Sequence, residues 1–550
     1  MVGSEARTGS AARERWADVV AIKSVVATVR RSLALAGVVV LVAAGMTAPP
    51  ASAARASATP YDFNGDGYAE LVVAAPGETI EARAGAEGSA GAVTVLEGGA
   101  EGVTSRGAQE WTQDSPGVKG ESENGRDRGE FSTPGDSFGS AVASGDFDRD
   151  GYADLAIGAP NEDGSGAVNV LYGSAAGLTA VRDQLLSQAG ELPGAKEAGD
   201  LFGSALAAGD FNRDGITDLA VGVPGEAIGT RERAGAVVVI RGSPDGLLTS
   251  GGVFLSQATG GVPGVAQEGD RFGSALGVGH LDADDGDDLV VGAPGDTVSG
   301  HRAAGSLHIF HGSVAGPQPT GSEQWTQDSP GVRGGPEAGD EFGHAVAPGD
   351  FDGDGHEDLA AAAWLENNTE GAVNVLYGTP GGLSASRNQF LNQDTSGVPS
   401  AAQPGEGVFA VAAGDVGGSR ADELIWGAFG ESRGECCNQG AVIVMPGGSR
   451  GLTGQGSVMW TQASPGVAGA AEPFDTFGWS VAALQLGYDR HADLVVGVPG
   501  ENNDAGLAHV IYGSVIGLTA AGSQLWSQAS PGVPGSAERN DRLGTTLGEH

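Results

Sequence analysis

The sequence of 550 residues predicts an all-β fold made of seven copies of one unit, each with four short antiparallel strands. Short apolar runs alternate with turns rich in Gly and Pro, which number 97 and 26, and no long stretch keeps the 3.6-residue apolar period of a helix. Related segments recur at offsets of 64 to 84 residues. The piece that the first unit lacks stands at the C-terminus, which predicts a closed ring.

The repeated unit is clearest in an acidic segment followed by an apolar run, "DFDRDGYADLAIGAP" at residues 146–160. Its relatives begin at Asp62, Asp146, Asp210, His280, Asp350, Asp415 and Gln485. Each unit has four strand-like pieces, written in the second unit as "FGSAVASGDF", "DLAIGAP", "GAVNVLYGS" and a fourth that ends in "LSQ". Seven four-stranded units of about 70 residues are typical of a seven-bladed β-propeller, in which neighbouring blades cover each other's faces.

The two ends of the chain predict how the ring closes. After the N-terminal region the chain begins at "YDFNGDGYAELVV", with no first strand ahead of its acidic segment, and it ends at "DRLGTTLGEH", a first strand with nothing after it. We expect residues 543–547 to pair beside the blade begun at Asp62, because pairing removes an unprotected sheet edge. The propeller then spans residues 61–550, with residues 54–60 as a short linker.

Residues 1–53 are typical of a signal peptide. Arg30 and Arg31 precede an apolar run at residues 33–44, and "PPASAA" offers a cleavage site of the A-x-A kind at Ala51 and Ala53. The apolar run is shorter than the about 20 residues that span a bilayer, and no later segment is apolar enough to do so. We therefore expect a secreted, extracellular protein, exported by the general secretory or the twin-arginine route.

The charge of the chain excludes some partners. The formal net charge is −41, and residues 1–53 hold six Lys or Arg and three Asp or Glu, so the remainder carries −44. Such a surface repels nucleic acid and anionic lipid. Two explanations of the acidic excess stay open: solubility in salty surroundings, and carboxylates placed to bind metal ions.

The spacing of the acidic residues favours metal binding. Asp146, Asp148, Asp150 and Asp154 stand at positions 1, 3, 5 and 9 of a short loop, with Gly at position 6 and the backbone carbonyl of Tyr152 at position 7. Calcium takes six to eight oxygen ligands at about 2.3–2.6 Å. An EF-hand would need a Glu at position 12 and a helix on each side, but position 12 lies in an apolar, strand-like run. The pattern therefore predicts a calcium loop that joins two strands.

The succession of Phe-Gly, acidic loop and Gly-Ala-Pro resembles the FG-GAP repeat. The whole chain after residue 59 resembles the seven-bladed propeller at the head of integrin α-chains, and its repeats are similar to those of glycosylphosphatidylinositol-specific phospholipase D. The matching Phe-Gly pairs begin at Phe138, Phe202, Phe272, Phe342 and Phe477, and the matching Gly-x-Pro triplets end at Pro160, Pro224, Pro294 and Pro499. The Ala/Gly-rich leader and Lys-poor body are typical of a GC-rich bacterium.

The resemblance implies calcium ligands only where this chain keeps the repeat's residues. Four loops do so, and they offer Asp62, Asn64, Asp66, Tyr68 and Glu70; Asp146, Asp148, Asp150, Tyr152 and Asp154; Asp210, Asn212, Asp214, Ile216 and Asp218; and Asp350, Asp352, Asp354, His356 and Asp358. Loop four begins with His280 and has Asp285 in place of Gly, which leaves Asp282, Asp284 and Asp288. We expect about four Ca²⁺ sites, and a fifth at loop four stays open.

The strand order separates the connections into two faces. The calcium loops join the first and second strands, so the connections from second to third strand lie on the opposite face. On or near that face Trp364 and Phe429 replace the Pro of Gly-Ala-Pro, and Trp479 follows the Phe-Gly of the last unit. Exposed aromatic residues anchor protein or glycan ligands. The alternative is that these rings fill gaps in less regular blades.

These observations predict a secreted, calcium-binding propeller that acts as a binding or adhesion module for extracellular proteins or glycans. Two alternatives stay open, a phospholipase D-like or esterase-like hydrolase that uses the loop face and a carbohydrate-binding lectin. Two segments, "GDSFG" and "GGSRG", match the serine-hydrolase elbow, but neither lies between a strand and a helix. No catalytic residue is therefore assigned.

Overall fold

The computed structural model describes residues 58–80, 89–123, 126–127, 132–133, 135–282, 284, 286–432, 437–487 and 489–548. The predicted signal peptide, residues 54–57 of the predicted linker and Asp285 of loop four lie outside the described residues.

Seven four-stranded antiparallel sheets form a seven-bladed β-propeller, as the sequence predicts. Blade 1 contains β1 (Leu71–Ala75), β2 (Ala92–Glu97), β3 (Thr104–Trp111) and β30 (Thr546–Leu547); blade 2, β6 (Ala141–Gly145), β7 (Asp154–Ala159), β8 (Ala167–Tyr172) and β9 (Thr179–Leu186); blade 3, β10 (Leu206–Gly209), β11 (Asp218–Val223), β12 (Ala236–Ile240) and β13 (Val253–Leu255). Blade 4 contains β14 (Ala275–Gly279), β15 (Asp288–Ala293), β16 (Ser306–Phe310) and β17 (Glu323–Trp325); blade 5, β18 (Phe342–Gly349), β19 (Asp358–Ala363), β20 (Ala372–Tyr377) and β21 (Ser384–Leu391). Blade 6 contains β22 (Ala410–Gly414), β23 (Glu423–Ala428), β24 (Ala441–Met445) and β25 (Val458–Trp460); blade 7, β26 (Val481–Leu484), β27 (Asp493–Val498), β28 (Leu507–Tyr512) and β29 (Thr519–Trp526).

The remaining elements are short. A two-stranded ribbon, β4 (Arg126–Asp127) and β5 (Ser132–Thr133), lies between blades 1 and 2 in the chain. A 3₁₀ turn (Glu162–Gly164) and two single-turn segments, α1 (Glu366–Thr369) and α2 (Glu501–Asp504), follow second strands. Among the described residues, the helices are too short for any of them to cross a membrane.

The ring closes through the last strand of the chain. Antiparallel β30 pairs with β1, with Leu547 opposite Val73 and Thr546 opposite Ala74. The predicted closure is confirmed, although the paired segment is shorter than residues 543–547, because the chain ahead of Thr546 forms a turn. C-terminal residues thus complete the sheet that N-terminal residues begin.

The second strand of every blade is buried along its whole length. All six residues of β7 and all six of β15 are buried, as are all five of β1. These strands read as continuous apolar runs because neighbouring blades cover both of their faces. The outermost strands, such as β9, alternate between exposed and covered positions instead. The hydrophobic core therefore lies between the blades.

Phe-Gly pairs make contacts between neighbouring blades. Phe202 is fully buried and forms an isolated bridge with Gly166, which precedes the third strand of the previous blade. Gly166 has φ +99°, and a Cβ there would lie 2.3 Å from the carbonyl oxygen of Phe202. Most first strands begin after this pair, as β6 does at Ala141, so the predicted strand from Phe138 starts too early.

A second contact between blades was not predicted. The Gln that follows each fourth strand donates from Nε2 to the acidic residue that follows the second strand of the next blade. The pairs are Gln113–Glu162 (2.8 Å), Gln188–Glu226 (2.7 Å), Gln257–Asp296 (3.1 Å), Gln327–Glu366 (2.5 Å), Gln393–Glu431 (2.9 Å), Gln462–Glu501 (2.7 Å) and Gln528–Glu78 (2.6 Å). Each blade interface thus has a buried carboxyl group with an amide partner.

Candidate cation loops and an aromatic cluster

The four predicted loops, one each in blades 1, 2, 3 and 5, lead into second strands and end at a buried acidic residue. Loop two joins β6 to β7, and Asp154 is both its position 9 and the first residue of β7. Loop one leads into β1 without a strand before it, because β30 supplies the first strand of that blade. The four loops therefore share one face of the propeller.

The Asp at position 1 organises each loop by accepting backbone N–H groups. Asp146 accepts from the N–H of Asp150 at 3.0 Å and from that of Gly151 at 3.1 Å. The same contacts recur around the other first-position carboxylates, Asp62, Asp210 and Asp350. Each loop consequently wraps around a carboxylate, and Gly supplies the turn.

The acidic residue at position 9 is held rigidly. Asp154 is fully buried and accepts N–H groups from Phe147 and Gly173, both at 2.9 Å. Burial, together with the nearby Asp148 and Asp146 carboxylates, raises the pKa of Asp154 to about 9. Burial is also the main cause of the raised pKa at the equivalent positions, about 8 for Glu70, about 7 for Asp218 and about 8 for Asp358. A bound divalent cation would favour the ionised form of each.

Carboxylates converge in three of the four loops. One oxygen from each member lies within 4.8 Å of the others in the groups Asp62, Asp66 and Glu70; Asp146, Asp148 and Asp154; and Asp350, Asp352 and Asp358. In loop three the Asn212 amide donates instead to both oxygens of Asp218 at 3.0 Å. The side-chain atoms that could bind a metal in these loops are oxygens, the ligand type of a hard cation such as Ca²⁺. The residues present therefore fit that ion.

At the ligand positions 1, 3, 5 and 9 the four loops carry the same formal charge once their ion-paired arginines are counted; Arg149, Arg213 and Glu357 lie in the loops but outside these positions. Loops one and three have Asn at position 3 and three carboxylates each, for a formal charge of −3. Loops two and five have four carboxylates, but Arg182 lies 2.8 Å from Asp148 and Arg387 lies 2.5 Å from Asp352. Within the described residues no Lys or Arg makes an ion pair with loops one or three. The four ligand positions of each loop, counted with Arg182 in loop two and Arg387 in loop five, therefore carry a formal charge of −3.

Loop four is organised differently. His311 Nδ1 lies 3.2 Å from Asp282 Oδ2 and 3.5 Å from Asp288 Oδ2, and Asp284 pairs with Arg213 of blade 3. The carboxylates of Asp288 and Glu323 raise the pKa of His311 to about 10. The protonated imidazole therefore supplies positive charge beside the two aspartates. Sequence reasoning missed His311, because it belongs to the turn after the third strand, 31 positions after His280.

The predicted aromatic residues meet in one cluster. The aromatic cluster consists of Trp364, Phe409, Phe429, Trp479 and His344, all half-buried. Phe409 is central, with ring centres 5.3 Å from Trp364, 5.3 Å from Phe429, 4.7 Å from Trp479 and 5.0 Å from His344. The cluster lies at the ends of second strands and the starts of first strands, on the face opposite the cation loops.

Two members of the aromatic cluster were missed, although the repeat contains the signal for them. The residue after Phe-Gly, or its equivalent, is Ser140, Ser204, Ser274, His344, Phe409, Trp479 and Thr545 in blades 2 to 7 and blade 1. These residues line a cavity of about 290 Å³ bordered by all seven first strands. Its wall is hydroxyl-bearing in four blades and aromatic or imidazole in three, so the aromatic side belongs to blades 5 to 7.

Comparison with known proteins matches the repeats and the propeller. A model of the FG-GAP repeat matches residues 54–96, 138–171, 202–240 and 342–376, the segments that contain the four cation loops. Integrin alpha pat-2 of Caenorhabditis briggsae is 34% identical over 271 residues, which cover 47% of this chain and 20% of that protein.

Two further relatives match shorter segments. Phosphatidylinositol-glycan-specific phospholipase D of Rattus norvegicus is 40% identical over 126 residues, or 22% of this chain and 15% of that protein. Integrin alpha-3 of Mus musculus is 34% identical over 182 residues, or 32% and 16%. The matched segments thus span 15–20% of the length of these relatives. The chain therefore contains FG-GAP repeats within a seven-bladed propeller and is similar to integrin α-chains over part of its length.

Proposed function

We propose that this chain is a secreted, calcium-binding propeller that serves as a binding or adhesion module for extracellular protein or glycan ligands. The observation that carries the proposal is the difference between the two faces of the propeller. One face has four acidic loops whose side-chain oxygens fit Ca²⁺, and the other has the aromatic cluster beside a cavity.

Calcium has a structural role in this proposal. The acidic residues at positions 1, 3, 5 and 9 of loops one, two, three and five, with Asn at position 3 in two of them, would hold the ions. The backbone carbonyls of Tyr68, Tyr152, Ile216 and His356 would add a ligand to each. An ion present at 100 times its dissociation constant stabilises the folded state by about 2.7 kcal/mol per site. Calcium would thereby offset the repulsion among carboxylates that face each other across each loop.

The relatives support the binding role but leave the ligand open. The integrin α-chains and the phospholipase D named above are 34–40% identical to parts of this chain, and the FG-GAP model matches four of its repeats. The aromatic cluster offers half-buried ring faces next to polar groups, which is the composition of interface anchors. We therefore place ligand contact on the face that carries Trp364, Phe429 and Trp479.

Export is part of the proposal. Residues 1–53 have the basic, apolar and small-residue segments of a signal peptide. Expression of the full sequence in a secreting bacterial host tests it. Mass spectrometry of the exported protein should give an N-terminus near residue 54. Protein retained in the cell with an intact N-terminus would contradict export.

The calcium proposal is tested by counting bound ions. Purified protein dialysed against millimolar calcium should retain about four Ca²⁺ per chain by elemental analysis, and EDTA should lower its melting temperature. Protein that retains no calcium under these conditions would refute it.

The binding proposal is tested on immobilised matrix proteins and cell-wall glycans. The wild type should bind at least one ligand, and Trp364→Ala should weaken that binding at least tenfold. Trp325→Ala, which removes a partly buried Trp from the outermost strand of blade 4, is the matched control. Equal binding by the wild type and Trp364→Ala would remove the aromatic cluster from the ligand site.

A further inference from the structure

A second cavity lies beside the aromatic cluster, where blades 7, 1 and 2 meet. Its volume is about 880 Å³, and it is lined by Phe474, Trp479, Arg539, Asn540, Arg542 and Thr545, among others. We propose that this cavity binds a single carboxylated sugar residue of a glycan. The inference rests on the proposed binding function and specifies the ligand class of this face.

Phe474 occupies a backbone position that glycine occupies elsewhere in the ring. In blades 3 to 6 the equivalent position, just ahead of Phe-Gly or its counterpart, holds glycine. These residues are Gly199, Gly269, Gly339 and Gly405, with φ between +85° and +95°. Phe474 has φ +70°, a region that an L side chain rarely adopts, and 59% of its surface is exposed. The fold gains little packing from this ring and accepts backbone strain to present it, so the ring is placed to contact a ligand.

Arg542 lacks the partner that its repeat equivalent has. Arg271 directly precedes Phe272-Gly273, as Arg542 precedes the equivalent Leu543-Gly544. Arg271 lies 2.7 Å from Glu341, which occupies the same position in the next blade. The residue in the blade after Arg542 is Ser137, which has no charge. In the described part of the chain, neither Arg542 nor the exposed Arg539 makes an ion pair.

The cavity is therefore positive within an acidic protein. Its lining contains two arginines and one carboxylate, Asp504, in a chain of net charge −41. A planar guanidinium binds a carboxylate through two parallel hydrogen bonds. A polyanion would be repelled by the surrounding surface, whereas a single carboxylate meets a lining whose two arginines and one aspartate sum to +1.

The rest of the lining fits a sugar ring. Phe474 and Trp479 offer apolar ring faces against which the C–H face of a sugar packs. Side-chain hydroxyl and amide groups of Thr476, Asn540 and Thr545 lie on the same wall and offer hydrogen-bond donors and acceptors. A volume of about 880 Å³ lies within the range of ligand pockets. Aromatic faces, hydroxyl-bearing side chains and guanidinium groups together select a carboxylated sugar.

The experiment titrates calcium-loaded full-length protein with D-glucuronic and D-galacturonic acid. Glucose and galactose are the neutral counterparts, and acetate and sulfate test the anion alone. Saturation-transfer NMR and tryptophan fluorescence report binding. We expect both uronic acids to bind at least tenfold more tightly than the neutral sugars and the simple anions.

Two variants test the residues. Arg542→Ser, which introduces the residue of blade 2, should weaken uronate binding at least tenfold. Phe474→Gly, which introduces the residue of blades 3 to 6, should weaken it while the melting temperature stays the same or rises, because strain is relieved. Arg233→Ser, at an exposed arginine in the second-to-third connection of blade 3, should bind as the wild type does.

Several outcomes would overturn the inference. Equal affinity for glucose and glucuronic acid would exclude recognition of the carboxylate, and equal affinity for acetate or sulfate would show an anion site only. Unchanged binding by Phe474→Gly, or no uronate binding at all, would also overturn it. In these cases the protein could still bind calcium and could still bind another ligand in a way that depends on Trp364. The sugar site would then be wrong while the proposed function stands.

Discussion

Arg182 donates a 2.8 Å hydrogen bond to Asp148, so an arginine from the outermost strand of blade 2 reaches a carboxylate of that blade's cation loop. Its guanidinium also lies 4.9 Å from the ring centre of Tyr172, which helps to fix its position. Arg387 and Asp352 repeat the ion pair in blade 5. The extra Asp of these two loops is thereby offset, and the formal charge of their ligand positions equals that of the loops with Asn at position 3.

Arg182→Gln tests this charge balance. The variant changes the formal charge counted at the ligand positions of loop two from −3 to −4, so the calcium affinity of that loop should rise by up to about tenfold at low salt. Its melting temperature in EDTA should fall, because the carboxylates lose a counter-charge. Calorimetric calcium titration and thermal melts measure both effects, with Arg106→Gln on the outermost strand of blade 1 as control. Unchanged affinity would show that the ion pair does not act on the site.

Asp154→Asn should change stability in opposite directions with and without calcium. With calcium the variant should lose one bound ion and up to about 2.7 kcal/mol of stability at 100-fold ion excess. In EDTA it should be as stable as the wild type or more so, because a buried group whose pKa is raised to about 9 becomes neutral. Urea unfolding in the two buffers checks this.

Glu423→Gln is the matched control for Asp154→Asn. Glu423 is the buried residue at position 9 of loop six, and burial raises its pKa to about 7. That loop has Gly417 and Ser419 where the other loops have ligands. The variant should therefore be at least as stable as the wild type with or without calcium. A calcium-dependent loss of stability would mean that loop six also binds an ion.

Stability should fall between about pH 4.5 and pH 8 because of buried carboxyl groups at the blade interfaces. Burial, together with the Asp541 carboxylate, raises the pKa of Glu78 from 4.5 to about 8. In this interval the unfolded chain releases the proton while the folded protein keeps it, so the stability contribution present below pH 4.5 is lost as pH rises through the folded pKa. Urea unfolding at constant calcium should show the decline.

Glu78→Gln should remove part of that decline. Gln528 Oε1 has no hydrogen-bond partner among the described residues, and an amide at position 78 would supply a donor. We expect the free energy of unfolding of this variant to exceed that of the wild type by about 1–2 kcal/mol at pH 8 and to change little at pH 4.5. Glu101→Gln, at an exposed glutamate, is the control. An equal effect at both pH values would contradict titration of Glu78.

Gly166→Ala should destabilise the interface between blades 2 and 3. The added Cβ would lie 2.3 Å from the Phe202 carbonyl oxygen, so backbone must shift. Gly164→Ala is the control, because Gly164 also has positive φ, at +71°, but no atom lies within 4 Å of an added Cβ. The control should cost about 1 kcal/mol, and Gly166→Ala at least about 2 kcal/mol more. Equal unfolding free energies would show that the close approach is unimportant.

Contacts within one loop were predictable from the repeat, and those between segments distant in the chain were not. The spacing of Asp146, Asp148, Asp150 and Asp154 marks a loop in the sequence, because adjacent residues place these side chains. Arg182 reaches the same loop from 34 positions away, and only the pairing of β8 with β9 brings it there.

The aromatic cluster shows the same division. Trp364, Phe429 and Trp479 departed visibly from the repeat and were placed on one face. Phe409 lies at their centre, yet its unit lacks the Phe-Gly pair that would have aligned it with Trp479. Counting back from Gly414-Asp415 aligns Phe409 with Ser140 of unit two, but its contacts with the other rings depend on how blades 5 to 7 pack.

By itself, the amino-acid pattern determined the number of blades, the closure by the last strand and the position of each acidic loop, because strand alternation and turn chemistry are local. Tertiary structure alone decided that His311 enters loop four, that Gln528 meets Glu78 and that Phe474 and Arg542 line one cavity. These pairs belong to different strands or blades, so their distances depend on how sheets pack around the ring rather than on spacing along the chain.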